Sequence, residues 1–378
     1  MLDRHIDHPL YIESDQELSR LCAQWANVDL LALDTEFIRT DTFYPIGALV
    51  QVSVGGGCFL IDPLAISDFS PFIALLADEN IVKVVHACSE DLEVFDRLFG
   101  VLPRPLIDTQ IAAALDGYGF SLGYQRLTEA LLQVHVPKGE TRSNWLQRPL
   151  TGSQIHYAAL DVAYLPEMYQ LLTDSLQEKG RLAWLQEECN VLVNTYADTE
   201  KIAQYYKKVK SCWKLLPSQL AVLQALIQWR EMKAREKDVP RGRVLKDCSC
   251  FDIARMQPQT LKALSQIDEV GPKTIRQFGE TILDTIEQAQ SIAEDEWPER
   301  LPRPLPSQTA KLLKILKAHV CRRAEQLQLA QELLAKKRDY EALLRSGVNG
   351  GEYRLPESLS GWRKEVVGNE LIDLLGRE

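Results

Sequence analysis

Residues 31–37 read LALDTEF: Leu31, Ala32 and Leu33, then Asp34, Thr35, Glu36 and Phe37. Three apolar residues suited to a buried strand run into two carboxylates one residue apart. Side chains alternate across a strand, so Asp34 and Glu36 project from one face and Thr35 from the other. Two such charges repel; either one carboxyl holds its proton to a higher pH or a bound cation relieves the pair. Taken alone, the stretch is as compatible with a solvated strand end.

The flanking two hundred residues alternate strand and helix patterns. SDQELSRLCAQWA (14–26) reads as an amphipathic helix with Ser14 and Glu17 in capping-box spacing. ALVQVSV, the Gly55-Gly56-Gly57 turn and CFLID read as a hairpin, and IVKVVHA as a short buried strand. SEDLEVFDRLF is a helix pattern with Ser89 as its expected N-cap. LIDTQIAAAL marks a strand-to-helix junction, and YQRLTEALL and SQIHYAALDVAYLPEMYQLL are helical. A mixed sheet covered by helices follows, an α/β class.

Beyond about residue 200 the strand signals stop. Leu216-Pro217-Ser218-Gln219 recurs as Leu305-Pro306-Ser307-Gln308, 89 residues later, and each copy opens an apolar-periodic helix. EDEWPERLPRPLPSQ, with Pro298, Pro302, Pro304 and Pro306, is a linker pattern between the copies. Two related helical domains are expected behind the α/β part, which sets the division at 1–203, 210–295 and 300–378.

The 378 residues hold 46% apolar and 25% charged side chains, an ordinary globular composition with room for several cores. No stretch approaches the roughly 18–20 apolar residues of a membrane span. The N-terminal MLDRHIDHPLYIESDQE lacks the basic start and apolar run of a secretory signal, so a cytoplasmic location is expected. The eight cysteines form no C-x-x-C framework and read as reduced thiols; Cys248 and Cys250 lack the partners of a zinc site. The net charge of −10 hides a division: residues 1–200 carry −17, residues 201–378 carry +7, and the stretch 201–246 alone carries +9. An acidic front joined to a basic back suits cation binding in one part and a polyanion in another.

Three more acidic or aromatic positions connect to LALDTEF. HACSEDLEVF puts Asp91 at a helix start after a buried strand, where a charge favouring the helix N-terminus is the plain alternative. In QIHYAALDVAYL, Tyr157 and Asp161 lie four apart on one helix face. A D-x-E strand, a helix-start Asp and a Y-x-x-x-D helix in this order resemble the three blocks of the proofreading-type 3'-to-5' exonucleases. Within that group the phrases DTEFIRTDTFYP, LVQVS, HACSEDL, SNWLQRPL and YAALDVAYL resemble the ribonuclease D family, of the tyrosine-bearing DEDDy type. The helical repeats resemble helicase-and-RNase-D C-terminal (HRDC) domains, in two copies, the second the weaker match.

The resemblance implies a ribonuclease H-like (DnaQ-like) α/β exonuclease domain with a mixed sheet, followed by two all-α helical-bundle HRDC domains. It implies Asp34, Glu36, Asp91 and Asp161 as ligands of two divalent ions, Mg2+ or Mn2+, with Asp34 bridging both. Two hard cations held about 3.5–4 Å apart by oxygen ligands supply hydroxide, stabilise the leaving oxygen and neutralise the phosphorane. Tyr157 would orient the attacking water; an ordinary phenol, with a pKa near about 10, is a poor base. His156, five before Asp161, stands at the spacing of a sister branch that uses histidine; the tyrosine is preferred because i and i+4 share a helix face.

Phe37, Gln51 and His86 are candidate substrate contacts, each with core packing as its alternative, and Phe43 and Tyr44 fit core packing better than base stacking. Asp108 reads as a helix cap rather than a ligand. In the basic half, Lys207, Lys208, Lys210 and Lys214 alternate with Tyr205, Tyr206 and Trp213, and IDEVGPKTI offers backbone N–H groups near Gly271 to a phosphate. The expected activity is metal-dependent 3'-to-5' exoribonuclease action on the 3' ends of tRNA precursors and other structured RNAs, releasing nucleoside 5'-monophosphates, with no membrane and no obligate protein partner. A DNA 3' exonuclease and a catalytically silent RNA-binding scaffold are the alternatives, since none of these residues is seen to read a 2'-hydroxyl.

Overall fold

A computed structural model of the chain describes residues 6, 8–137, 139–140, 143–197, 199–347 and 351–376. Residues 1–5, on which part of the leader expectation rested, lie outside that set. The strands are β1 (Leu10–Ile12), β2 (Leu30–Ile38), β3 (Ile46–Val54), β4 (Gly57–Ile61), β5 (Val82–Val85) and β6 (Leu106–Asp108). They form one six-stranded sheet in the order β1-β4-β3-β2-β5-β6. The expected hairpin is β3–β4, antiparallel with Gln51 opposite Leu60, and its tight turn uses Gly55 and Gly56 at φ 59° and 83°. β2 runs parallel to β5, and β5 to β6, so these three end at one edge of the sheet. Open α/β sheets gather their ligand-binding groups at that carboxyl edge.

Helices cover the sheet: α1 (Asp15–Trp25), α2 (Ser70–Ala77), α3 (Asp91–Phe99), α4 (Thr109–Asp116), α5 (Tyr124–Leu132), α6 (Gly152–Ala163), α7 (Leu165–Glu178) and α8 (Leu182–Ala197). Ser14 accepts from the Glu17 N–H at the start of α1, as expected. At α3 the expectation fails: Glu90, not Ser89, is the N-cap residue, and it makes no side-chain cap hydrogen bond. Ser89 donates its N–H to the Ala87 carbonyl in a tight turn, which displaces it from the capping position.

The helical half contains α9 (Pro217–Glu236), α10 (Arg241–Val244), α11 (Asp247–Met256), α12 (Leu261–Leu264), α13 (Pro272–Gln290), α14 (Ala310–Leu327), α15 (Gln331–Leu334), α16 (Lys337–Ser346) and α17 (Asn369–Leu375). The repeated LPSQ phrase precedes matching series: a long helix, a single turn and a ten-residue helix, α9–α10–α11 and then α14–α15–α16. A short internal phrase thus marked a real structural repeat.

The chain forms two compact units, neither continuous in sequence. The first takes in the described residues of 1–38, 47–196 and 305–378. Its core joins Leu31, Leu33, Val84 and Phe95 of the α/β part to Leu316, Val320, Leu343 and Leu371 of the C-terminal helices. Trp184 and Trp362 stack at 4.5 Å, the Trp362 indole donates to Glu188 at 2.7 Å, and Arg363 forms a two-point ion pair with the same carboxylate.

The second unit comprises residues 39–46 and 197–304. Here Phe43, 5% exposed, lies in a core with Leu220, Leu223 and Ile227, and the guanidinium groups of Arg235 and Arg241 lie 4.9 and 4.6 Å from its ring. Both arginines pair with buried Glu231; burial acts to raise that carboxyl, but the Arg241 and Arg235 bonds hold it below its ordinary value. Asp238 accepts the N–H groups of Phe43 and Tyr44, each at 3.0 Å. Phe43 is therefore core, not a base-stacking platform.

Candidate active site

The site starts at the end of β2, where apolar Leu31–Leu33 fix the strand in the core and alternation fixes the next three side chains. Asp34 and Glu36 share a face; Thr35 points the other way and donates a hydrogen bond to the Asp91 carboxylate. Asp91 opens α3 just past the end of β5. The turn leading to it carries Ala87 at φ 58°, a left-handed conformation costly for a residue with a Cβ. Asp108 holds that turn: its carboxylate accepts from the N–H groups of Ala87 and Cys88 at 3.0 and 3.1 Å, as well as capping α4 at Gln110. The cap expected from sequence is present, and it also secures the neighbouring turn.

The third element is α6. Thr151 and Gln154 form a capping box, and Ala158, Ala159 and Ala163 are buried along it, small enough for the helix to pack closely onto β2 and β4. Asp161 reaches the β2 carboxylates: ligand oxygens of Asp34, Glu36 and Asp161 all lie within 4.8 Å of one another. This is the one such group among the described residues. Asp91 stands beside it, close enough to repel Asp34, while one of its oxygens is engaged by Thr35.

Electrostatics record the crowding. Burial, then the charges of Asp91, Asp161 and Glu36, push the Asp34 carboxyl well above its ordinary range. Burial and the same neighbours raise Glu36 to about 9; burial raises Asp161 to about 7 and Asp91 to about 6, partly opposed by hydrogen bonds from Tyr157 and Thr35 respectively. An all-oxygen cluster that cannot carry all its charge unaided has the donor chemistry of a hard divalent cation site. Tyr157 sits one turn from Asp161 on the same helix face; burial, then the charges of Asp161, Glu36 and Asp34, push its phenol far above ordinary values. Its ring packs 6.1 Å from Trp145 and against Gly139, where a Cβ would stand 2.1 Å from the ring.

The remaining candidates have other surroundings. Gln51 is fully buried in β3, and neither end of its amide has a hydrogen-bond partner. His86 is tied by both ring nitrogens, to Thr109 Oγ1 at 2.9 Å and to the Leu122 carbonyl at 3.1 Å, as a core histidine would be. Phe37 is half-buried at the end of β2. In the second unit Lys208, Lys207 and Lys214 lie over Tyr205, Tyr206 and Trp213, and Tyr206 is 4% exposed, which removes it from base stacking. Gly271 is the N-cap residue of α13. Sequence reading missed Thr35, whose role needs the position of Asp91, and Gly139, whose only signal was a glycine in a polar loop.

The comparisons agree with this geometry. Residues 9–177 match the family model described as 3'-5' exonuclease, 219–286 the HRDC domain, and 309–371 the C-terminal HRDC domain of ribonuclease D. The chain is 47% identical over 365 residues to ribonuclease D of Pseudomonas paraeruginosa, covering 97% of each, and 38% identical to that of Serratia proteamaculans, covering 96% of this chain and 98% of the relative. The crystal structure of Escherichia coli RNase D, an exoribonuclease involved in structured RNA processing, superposes with a TM-score of 0.89 at 37% identity, covering 98% and 99% of the two chains. With carboxylates gathered at the sheet edge, helical repeats behind them and full-length similarity of this order, the chain belongs to the ribonuclease D family and is a 3'-to-5' exoribonuclease.

Proposed function

We propose that Asp34, Glu36, Asp91 and Asp161 hold two divalent ions, Mg2+ or Mn2+, and that the enzyme trims the 3' ends of tRNA precursors and other structured RNAs. The observation that carries this reading is the convergence of three carboxylates within 4.8 Å, with proton affinities raised by burial and, for Asp34 and Glu36, by the neighbouring charges as well. When bound, the ions supply an activated water and charge neutralisation at phosphorus. The chain's own groups do the orienting. Tyr157 keeps its proton, directs it to Asp161 and leaves its oxygen free to accept from the attacking water. The new oxygen–phosphorus bond forms as the bond to the 3' oxygen of the preceding nucleotide breaks. A nucleoside 5'-monophosphate leaves, and the shortened RNA keeps a 3'-hydroxyl.

In this reading residues 1–203 carry catalysis, 210–295 form a first RNA-holding HRDC domain and 300–378 a second HRDC-like domain. Lys207, Lys208, Lys210 and Lys214 meet phosphates. The free cysteines suit a reducing cytoplasm; no described helix is long and apolar enough to cross a membrane.

Matched RNA and DNA labelled at the 3' end, incubated with Mg2+, Mn2+ or chelator, test the proposal. Metal-dependent release of labelled 5'-monophosphate from RNA, abolished by Asp34→Asn, is expected. Equal release with chelator, or release mainly from DNA, overturns it.

A further inference from the structure

Helix α6 does not run smoothly into α7. In an unbroken helix the Tyr164 N–H would donate to the Leu160 carbonyl, closing the turn that carries Asp161. Instead the Tyr124 hydroxyl stands in that gap. It donates to the Leu160 carbonyl at 2.6 Å and accepts from the Tyr164 N–H at 3.3 Å, while the same N–H also reaches Val162. Pro166, in the first turn of α7, has no N–H to return to the Val162 carbonyl, so the ladder also lacks its bond two residues on. A side chain inserted into the hydrogen-bond ladder is a recognised cause of a local helix bend.

The insertion is itself supported. The Tyr124 ring packs edge-on to His86 at 5.7 Å, and both nitrogens of that imidazole are tied down. Burial and the charges of Asp161 and Asp34 keep the Tyr124 phenol protonated, so it remains a donor to Leu160.

We propose that Tyr124 is a positioning residue for Asp161: its hydroxyl holds open the turn between residues 160 and 164 and thereby aims the Asp161 carboxylate at Asp34 and Glu36. The peptide that joins Leu160 to Asp161 is the one whose carbonyl Tyr124 grips, so its tilt sets the direction of the Asp161 Cα–Cβ bond. Without the hydroxyl, Tyr164 closes directly on Leu160 and that bond rotates.

This inference rests on the reading of Asp161 as a metal ligand, and the test separates the two. Mn2+ binding by calorimetry, the Mg2+ dependence of RNA hydrolysis and the Tm are measured for Tyr124→Phe, Asp161→Asn and the double variant. Tyr124→Phe, which keeps the ring, is expected to weaken Mn2+ binding about tenfold, the lower end for groups that orient metal ligands. The kcat falls while KM for RNA stays within about twofold, and Tyr124→Phe adds no further loss of binding on the Asp161→Asn background. Unchanged Mn2+ affinity in Tyr124→Phe sinks the inference alone; unchanged affinity in Asp161→Asn sinks the ligand reading beneath it. An equal further loss in both backgrounds, with a matching fall in Tm, makes the hydroxyl a general strut and also overturns the inference.

Discussion

Tyr157 and His156 are neighbours in sequence, and only one carries a hydroxyl aimed at Asp161. Replacing Tyr157 with Phe removes the group proposed to orient water and should lower kcat by about 10²-fold, the lower range for positioned proton-transfer groups, with little change in KM. His156→Ala should stay within about threefold of the parent in the same steady-state assay. The carboxylates give a second expectation at this scale. A carboxyl whose pKa is higher in the folded chain than in the unfolded one binds its proton more tightly when folded, so its stabilising effect is complete at low pH and is lost as pH rises through the folded value. For Asp161 and Glu36, raised to about 7 and about 9 from ordinary values of about 4, the metal-free protein should lose thermal stability progressively from about pH 4 to about pH 9. Added Mn2+ should raise Tm more at pH 8 than at pH 6. Scanning calorimetry with and without chelator would reveal it, and a flat metal-free profile would count against the crowded cluster.

At the level of elements, the loop 39–46 shows how far a pattern can be read. Its aromatics looked like stacking candidates or core, and the choice depended on Glu231, Arg235, Asp238 and Arg241, nearly two hundred residues away, which no local period reveals. Phe43→Ala should cost about 3 kcal/mol, the lower range for a buried phenylalanine, seen as an earlier urea transition. By contrast β2, the β3–β4 hairpin and α6 were legible because alternation and 3.6-residue spacing are local properties. Asp34, Glu36, Asp91, Tyr157 and Asp161 were legible by resemblance to an ordered set of motifs, and the structure draws Asp34, Glu36 and Asp161 together. The Ser89 cap was misread because the turn after β5 is shaped by Asp108, a partner from another strand. Tyr124 left no signal at all: a tyrosine at a helix start says nothing about a carbonyl thirty-six residues later.

Across the whole molecule, charge and connectivity divide the work. If the four lysines between 207 and 214 each neutralise one phosphate of a single strand, the logarithm of the binding constant should fall with the logarithm of salt concentration with a slope of about −3. Fluorescence titration of a 3'-tailed RNA from low to high salt measures the slope, and alanine at both Lys208 and Lys210 should flatten it by about 1.4. The first unit, meanwhile, takes core residues from both ends of the long helical insertion, since Leu316, Leu343 and Leu371 share one apolar interior with Leu33 and Phe95. A chain emerging from the ribosome therefore makes the catalytic strand first and the last wall of its interior more than three hundred residues later. At roughly 5–20 residues per second, the nascent enzyme spends on the order of tens of seconds with that wall missing, and completed nuclease accumulates only after the C-terminal helices have been synthesised.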